Sequence, residues 1–296
     1  MSWRVVARKD FADSIRSGWV IGLSVLFLVL FVALSYFFAA GVGGAVQQQT
    51  GEQLSSNAFV NLLSSFIAFI IPIVAIVLAY ASVAGERDSG TLKLLLALPH
   101  TRRDIVLGKV LGRSAVIVLP ILLGFLAAAI VFLITPVTLE LANFVAFALL
   151  SALLGVVFVC LAVGISAAAG SRRRAMLGNV GLFVVFALFW GSVAEGLVSL
   201  LNEYTDIGFE TLARVQLAVR LLNPIDAYQS LAAILWTSDA LGARISLFSG
   251  IASQIYAQAL DPLPAYFSDP VVAVVFLAWL VVPPVLGYLA FRDADL

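Results

Sequence analysis

Apolar and polar positions segregate along this chain in long blocks. Six apolar runs stand out: Trp19 to Ala40, Phe59 to Ala84, Ser114 to Thr135, Phe144 to Ala169, Met176 to Leu200 and Val271 to Phe291. About 20 helical residues cross ~30 Å of hydrocarbon, so each run is long enough to span a bilayer. Pro72, Pro120 and the pair Pro283-Pro284 lie inside runs and predict kinks. The stretch around Gln47, Gln48, Gln49 and Glu52 predicts a short polar loop, and Pro136 a tight turn before the fourth run. Ahead of the first run, Trp3, Val6, Ala7, Phe11 and Ile15 recur near helical spacing with cations between them. This predicts a helix over 2–17 lying in the membrane interface, anchored by Trp3, Arg8, Lys9, Phe11, Arg16 and Trp19. The plainer alternative is a basic flank that only fixes orientation.

Residues 85–113 are too polar for a span and too patterned for a slack linker. Thr91 or Ser89 can cap a short helix, because a hydroxyl accepts a backbone N–H left free in the first turn. Leu92, Leu95 and Leu96 give that helix one apolar face, and Pro99 stops it. Thr101 with Asp104 three residues on marks a second helix start, a capping box with Asp in place of Glu. The pattern predicts a helical hairpin with a basic tip at His100, Arg102 and Arg103. A charged loop that merely sets topology is the bland alternative. The long segment 201–270 reads as three helices, Phe209 to Leu222, Ala227 to Trp236 and Leu241 to Leu260, packed on the outer mouth of the bundle or dipping into it. It is either an ordinary folded loop, or a gate or docking site for an outer partner.

Charge fixes the expected orientation. Fourteen of the seventeen Lys and Arg fall on one side if the N-terminus is inside; the other three, Arg214, Arg220 and Arg244, all lie in 201–270. The positive-inside rule then predicts six spans with both termini cytoplasmic. Composition agrees: 62% of the 296 residues are hydrophobic and 11% charged, against about 45–50% and 25% in soluble domains. The fold class is an all-α membrane protein, read as a single transmembrane domain over 1–296. A net charge of zero gives no electrostatic case for nucleic acid. Arg4, Arg8, Lys9, Asp10, Asp13 and Arg16 interrupt any signal-peptide pattern, and the first run is expected to stay as an anchor.

Candidate chemistry is sparse. The one cysteine, Cys160, sits in an apolar run, which excludes an intrachain disulfide and predicts a buried inert thiol. His100 reads as a solvated loop residue or a partner contact. Gly108-Lys109 lacks the upstream glycine and following hydroxyl of a phosphate-binding loop, and neither His-Glu-x-x-His nor Gly-x-Ser-x-Gly occurs. The chain is therefore expected to be non-catalytic, with no metal and no cofactor of its own. Glu195 is the one carboxylate inside an apolar run; near its outer end it can snorkel to water, so a structural role is favoured over an intramembrane site. Glu140 reads as solvated. Gly178, Gly181, Gly191 and Gly196 let helices approach closely, for packing or for a dimer contact.

The string Glu86-Arg87-x-x-Gly90-Thr91-Leu92, then Leu95-Leu96, Pro99, Arg102 and Gly108-Lys109, resembles the first cytoplasmic loop of ABC-2 type transporter permeases. Ala7-Arg8-Lys9-Asp10-Phe11 with Asp13, Arg16 and Trp19 is similar to that family's N-terminal amphipathic helix. Leu222-Asn223-Pro224-x-Asp226-x-Tyr228 and Phe291-Arg292-x-x-x-Leu296 resemble a narrower branch that contains the permease of the nitrous oxide reductase maturation system. The resemblance implies a permease of a prokaryotic plasma membrane that exports a substrate. It also implies partner ABC ATPase subunits that carry the ATP and Mg. Glu86, Arg87, Gly90, Thr91, Leu92, Leu95, Leu96, Pro99, Arg102 and Arg103 would form a coupling helix and its flanks in a groove of that ATPase. A second permease copy, and an extracytoplasmic protein, are further implied partners. A copper(I) relay wants thiolates and thioethers, and this chain has one Cys and two Met. A scaffold that transmits ATPase motion without substrate flux, and a stand-alone channel, are the alternatives.

Overall fold

A computed structural model describes residues 3–51, 53–92 and 101–293. Six of its helical stretches are long and apolar enough to cross a membrane: Val20–Thr50, Ser56–Asp88, Arg102–Leu133, Leu141–Ala168, Arg172–Tyr204 and Asp269–Arg292. They match the six predicted runs in number and order.

The chain begins with α1 (Trp3–Ile15) and α2 (Gly18–Phe37). A π-helical turn, Phe38–Gly43, carries α2 directly into α3 (Gly44–Thr50). Gln47, Gln48 and Gln49 are therefore helical, where the sequence suggested a loop. Their polarity marks the point at which the helix leaves the apolar zone, and backbone bonding continues through it until Gly51 at φ 74. A two-residue strand β1 (Leu54–Ser55) pairs in parallel with β2 (Val137–Thr138), Leu54 facing Val137. Nothing in the sequence announced this pair. It ties the loop before the second span to the turn after the third.

The Ser55 hydroxyl caps α4 (Ser56–Ala79) by accepting from the Asn57 N–H. Short α5 (Ala84–Asp88) follows. Pro72 in α4 and Pro120 in α6 (Arg102–Leu133) lie within continuous helix. Helix α7 (Leu141–Ala168) is the central post, with 67% of its most apolar window buried. Phe125, Phe144, Phe147, Phe132 and Phe59 meet edge to face around it and its neighbours, with centroids 5.0–5.9 Å apart. Such pairing lets rings interlock without polar groups.

The fifth span is α8 (Arg172–Val184), a π-helical turn and α9 (Trp190–Tyr204). Only 11% of its apolar window is buried, the least of the six. Gly178 touches Ile165, but a Cβ at Gly181, Gly191 or Gly196 would meet nothing within 4 Å. A side chain at those three positions would enter open space.

The 201–270 segment folds as α10 (Phe209–Leu222), α11 (Pro224–Thr237), α12 (Ala240–Ile245) and α13 (Ile251–Ala259). The first two agree with the pattern. The predicted single helix Leu241 to Leu260 is instead two, broken at Gly250, whose φ of 62 a helix cannot continue through. The sixth span is likewise two helices, α14 (Asp269–Ala278) and α15 (Val282–Arg292). Pro283 and Pro284 do not kink a helix from within; they open α15, where a missing N–H costs nothing.

α15 crosses α7 at Gly164 and Gly287. A Cβ on Gly164 would lie 2.3 Å from the Pro283 carbonyl oxygen, and one on Gly287 2.3 Å from the Gly164 carbonyl oxygen. Backbone therefore touches backbone, the close approach that small residues permit in membranes. Gly164→Val is expected to destabilise the protein by about 1–3 kcal/mol, as overpacking of a closed contact does. Gly208→Ala, in open space, is expected to stay within about 0.5 kcal/mol. Detergent unfolding midpoints of the two variants check this, and equal midpoints would refute the tight crossing.

Candidate functional site

Most of the cations gather at one end of the bundle, here termed the basic end. It is built from α1, the two described arms of the predicted hairpin (85–92 and 101–113), the 169–172 turn and the tip of α15. The first arm of the hairpin leaves α4 through a turn and α5. The Ser166 hydroxyl of α7 accepts from the backbone N–H groups of Val83 and Ala84 at 3.2 and 3.1 Å, fixing where that arm starts. Gly90 then takes φ 74, a left-handed conformation that L side chains adopt only with strain. Ser89 Oγ and Thr91 Oγ1 lie 2.8 Å apart, Thr91 and Leu92 are already helical, and Leu92 is buried. Leu95, Leu96, Pro99 and His100 lie outside the described residues, as does the Trp19 side chain.

The second arm starts as its sequence predicted. Thr101 accepts from the Asp104 N–H, and Asp104 accepts from the Thr101 N–H at 3.1 Å, a complete capping box. Asp104 also accepts from the Trp3 N–H at 3.2 Å. Arg102 donates to the main-chain carbonyls of Phe291 and Arg292 and lies 5.2 Å over the Phe291 ring. One turn of the hairpin thereby holds both the start of α1 and the end of α15. Arg103, like Arg8, Lys9 and Arg16 of the predicted anchor, is exposed; Trp3 and Phe11 are half-buried.

Sequence reasoning missed the centre of this site. Lys109 donates to Asp10 Oδ1 at 2.9 Å and to Glu86. Arg113, one turn on, places Nε 2.9 Å from Asp10 Oδ2 and donates through Nη1 to the Leu78 carbonyl at 3.0 Å. The Asp10 and Lys109 side chains are only 4% and 7% exposed. Two cations and two carboxylates, from α1, α5 and α6, thus form one neutral buried network. Its members can sit so close because α1 lies directly on α6. A Cβ at Gly108 would be 2.6 Å from Val6, and one at Gly112 would be 3.0 Å from the Ala7 carbonyl oxygen. The buried stripe of α1 is Val6, Asp10 and Ser14, spaced by four. The face assigned from Trp3, Val6, Ala7, Phe11 and Ile15 shares only Val6 with that stripe. The overlooked signals were Gly108 and Gly112 four apart, and a carboxylate on a stripe with Val6.

A further tie crosses to the turn before α8. Asp88 accepts from the Arg172 N–H at 2.7 Å, and the Arg172 guanidinium donates to the Tyr80 hydroxyl at 2.9 and 3.2 Å. The hairpin arms are therefore clamped to α1, α7, α8 and α15 at once.

The opposite end holds a cleft of about 700 Å³ between α9, α10 and α13. Exposed Glu195 lines it with Gln216, Arg220 and Tyr256. Arg220 pairs with Asp226 at 3.0 Å and lies 5.2 Å over Phe248. Burial pushes the Asp226 carboxyl upward, and Arg220 opposes it. Asn223 caps α11 and donates to the Phe186 carbonyl at 2.9 Å, while the Tyr228 and Ser151 hydroxyls lie 2.9 Å apart. The Asn-Pro-x-Asp-x-Tyr island thus fastens the 201–270 segment to the fourth and fifth spans. Glu140 is exposed.

Six helical stretches long and apolar enough to cross a membrane, with a polar segment held between the second and third, define a multi-pass membrane protein. The ABC-2 family transporter proteins match residues 4–296, and the chain belongs to that family. It is similar to a "Probable ABC transporter permease protein NosY" of Pseudomonas aeruginosa, 33% identical over 83% of this chain and 86% of the relative. A protein of the same description from Stutzerimonas stutzeri is 31% identical over 97% of this chain and 96% of its own. The chain is accordingly a multi-pass permease subunit of an ABC transporter, and membership implies an ABC ATPase partner.

Proposed function

We propose that the basic end faces the cytoplasm and that the 85–113 hairpin is the lever by which partner ATPases drive this permease. The buried Lys109–Asp10–Glu86–Arg113 network carries the proposal. It makes the hairpin arms and α1 one rigid piece, so motion delivered at the tip reaches the second and third spans without being lost in side-chain play. α1 lies in the inner interface with Arg8, Lys9 and Arg16 toward headgroups. Glu86, Arg87, Gly90, Thr91, Leu92, Leu95, Leu96, Pro99, Arg102 and Arg103 form or support the docked element. Closure of ATP- and Mg-loaded ATPases pushes it, and the spans rock as rigid bodies to open outward. The weakly buried fifth span, with its open glycines, is where a second permease copy would pack.

Deleting Ser89–Leu98 tests the lever. The shortened permease is expected to reach the membrane and to lose its co-purifying ATPase; retention at normal stoichiometry would refute the docking. We further place the protein in nitrous oxide reductase maturation, from its resemblance to that branch. With one Cys, buried, and two Met, its own side chains offer no chain of soft ligands for copper(I). That favours a second reading, in which the 201–270 segment passes ATPase motion to an extracytoplasmic protein. A flux assay in proteoliposomes separates the two: ATP-dependent release of a substrate supports export, and coupling of hydrolysis to an outer protein without flux supports transmission.

A further inference from the structure

Between α1, α2 and α4 a groove of about 580 Å³ opens at the basic end. Its two ends differ in chemistry. Ser17, Tyr80, Ser82 and Arg172 line the polar end, whereas Val20, Leu23, Ile73 and Val77 line the part running along the spans. Ser82 is 4% exposed, yet its hydroxyl has no hydrogen-bond partner among the described residues. A buried orphan hydroxyl carries a desolvation cost that a ligand oxygen would remove.

Arg172 adds the charge. Its guanidinium donates to one described acceptor, the neutral Tyr80 hydroxyl, and Asp88 takes the backbone N–H instead. Arg113 also lines the groove, but Asp10 and the Leu78 carbonyl already occupy it. Of the two described cations lining the groove, Arg172 is the one with no carboxylate hydrogen-bonded to its guanidinium, Asp88 acting on it only at longer range. A cation and an orphan hydroxyl at one end, continuous with an apolar channel, fit one ligand class: a phosphate diester joined to acyl chains.

We propose that this groove holds one anionic phospholipid of the inner leaflet, its phosphate against Arg172 and Ser82 and an acyl chain along Val20, Leu23 and Val77. The placement in the inner leaflet rests on the basic end facing the cytoplasm; the binding itself does not. A lipid wedged between α1, α2 and α4 would tie the rigid hairpin assembly to the bilayer beside the span it moves.

The full-length permease, in mixed micelles with equal phosphatidylglycerol and phosphatidylethanolamine, is read by native mass spectrometry. One retained phosphatidylglycerol per chain is expected. Arg172→Gln, at an exposed position, should lower its occupancy about fivefold, the effect of one cation near a membrane surface. Val77→Trp, where the native side chain is 58% exposed and so tolerant of change, should lower it by crowding the acyl path. Equal retention of both lipids, or retention unchanged in Arg172→Gln, would mean ordinary annular lipid and overturn the proposal. Displacement by millimolar inorganic phosphate, with Val77→Trp without effect, would assign the seat to a free anion and overturn it too. Micelles have no sidedness, so a wrong topology or a failed ATPase docking would leave this result untouched.

Discussion

Lys109→Met is expected to destabilise the permease by about 3–5 kcal/mol, the cost of stranding a buried partner when one member of a buried ion pair is removed. The side chain fills similar space, so lost volume contributes little. What remains is Glu86 with its cationic partner gone and Asp10 left with Arg113 alone. Adding Glu86→Gln should recover most of the loss, because the double variant removes one charge of each sign and Asp10 keeps Arg113 at 2.9 Å. The unfolding midpoint in detergent measures stability, and ATPase co-purification measures the lever. A Lys109→Met protein with a native midpoint would show that the network does not hold α1 to the hairpin.

Arg244→Met should cost about 1–3 kcal/mol at the other end of the molecule, the desolvation cost of the buried acceptors it leaves unpaired. Arg244 is fully buried and donates to the Phe267 carbonyl at 3.0 Å, to Ser230 at 3.0 Å and to Asp269 at 2.6 Å. It thereby joins α11, α12 and the turn before the sixth span. Burial lowers the guanidinium's proton affinity and the Asp269 carboxylate opposes that. The ion pair by itself is not the main contributor. Asp269 is 42% exposed, and water can solvate it once the arginine is gone. Asp269→Asn is therefore expected to cost only about 0–1 kcal/mol, as for an exposed pair. Arg244→Lys should fall between, since an ammonium cannot present the planar fork to three acceptors. Limited proteolysis between α12 and α14 reads the local loosening. Equal losses for Arg244→Met and Asp269→Asn would mean that the salt bridge, not the buried fork, holds the segment.

The two networks differ in how visible they were. The Leu222-Asn223-Pro224-x-Asp226-x-Tyr228 island was noticed as a string, and its asparagine cap and proline start follow from local chemistry. That Asn223 reaches Phe186, and that Tyr228 meets Ser151, did not follow, because those partners are 37 and 77 positions away. Asp10, Lys109 and Arg113 were each visible as charges beside apolar runs, but charge beside a run is also what a simple topology signal looks like.

Six spans, the hairpin's second helix start, the two helices Phe209–Leu222 and Pro224–Thr237 in outline, and the family could all be read from residue order. These depend on block hydropathy and on bonds between near neighbours, both written in local residue order. Three-dimensional packing was needed to show that the glutamine stretch is helical, that Pro283 and Pro284 open a helix, and that Gly250 divides one. It alone brought α1, α5 and α6 around four charges and set backbone on backbone at Gly164 and Gly287. The physical reason is that inside a membrane, apolar periodicity no longer distinguishes core from surface. Lipid and core are equally apolar, so which faces meet is set by small residues and buried polar partners, and those act only once distant helices are side by side.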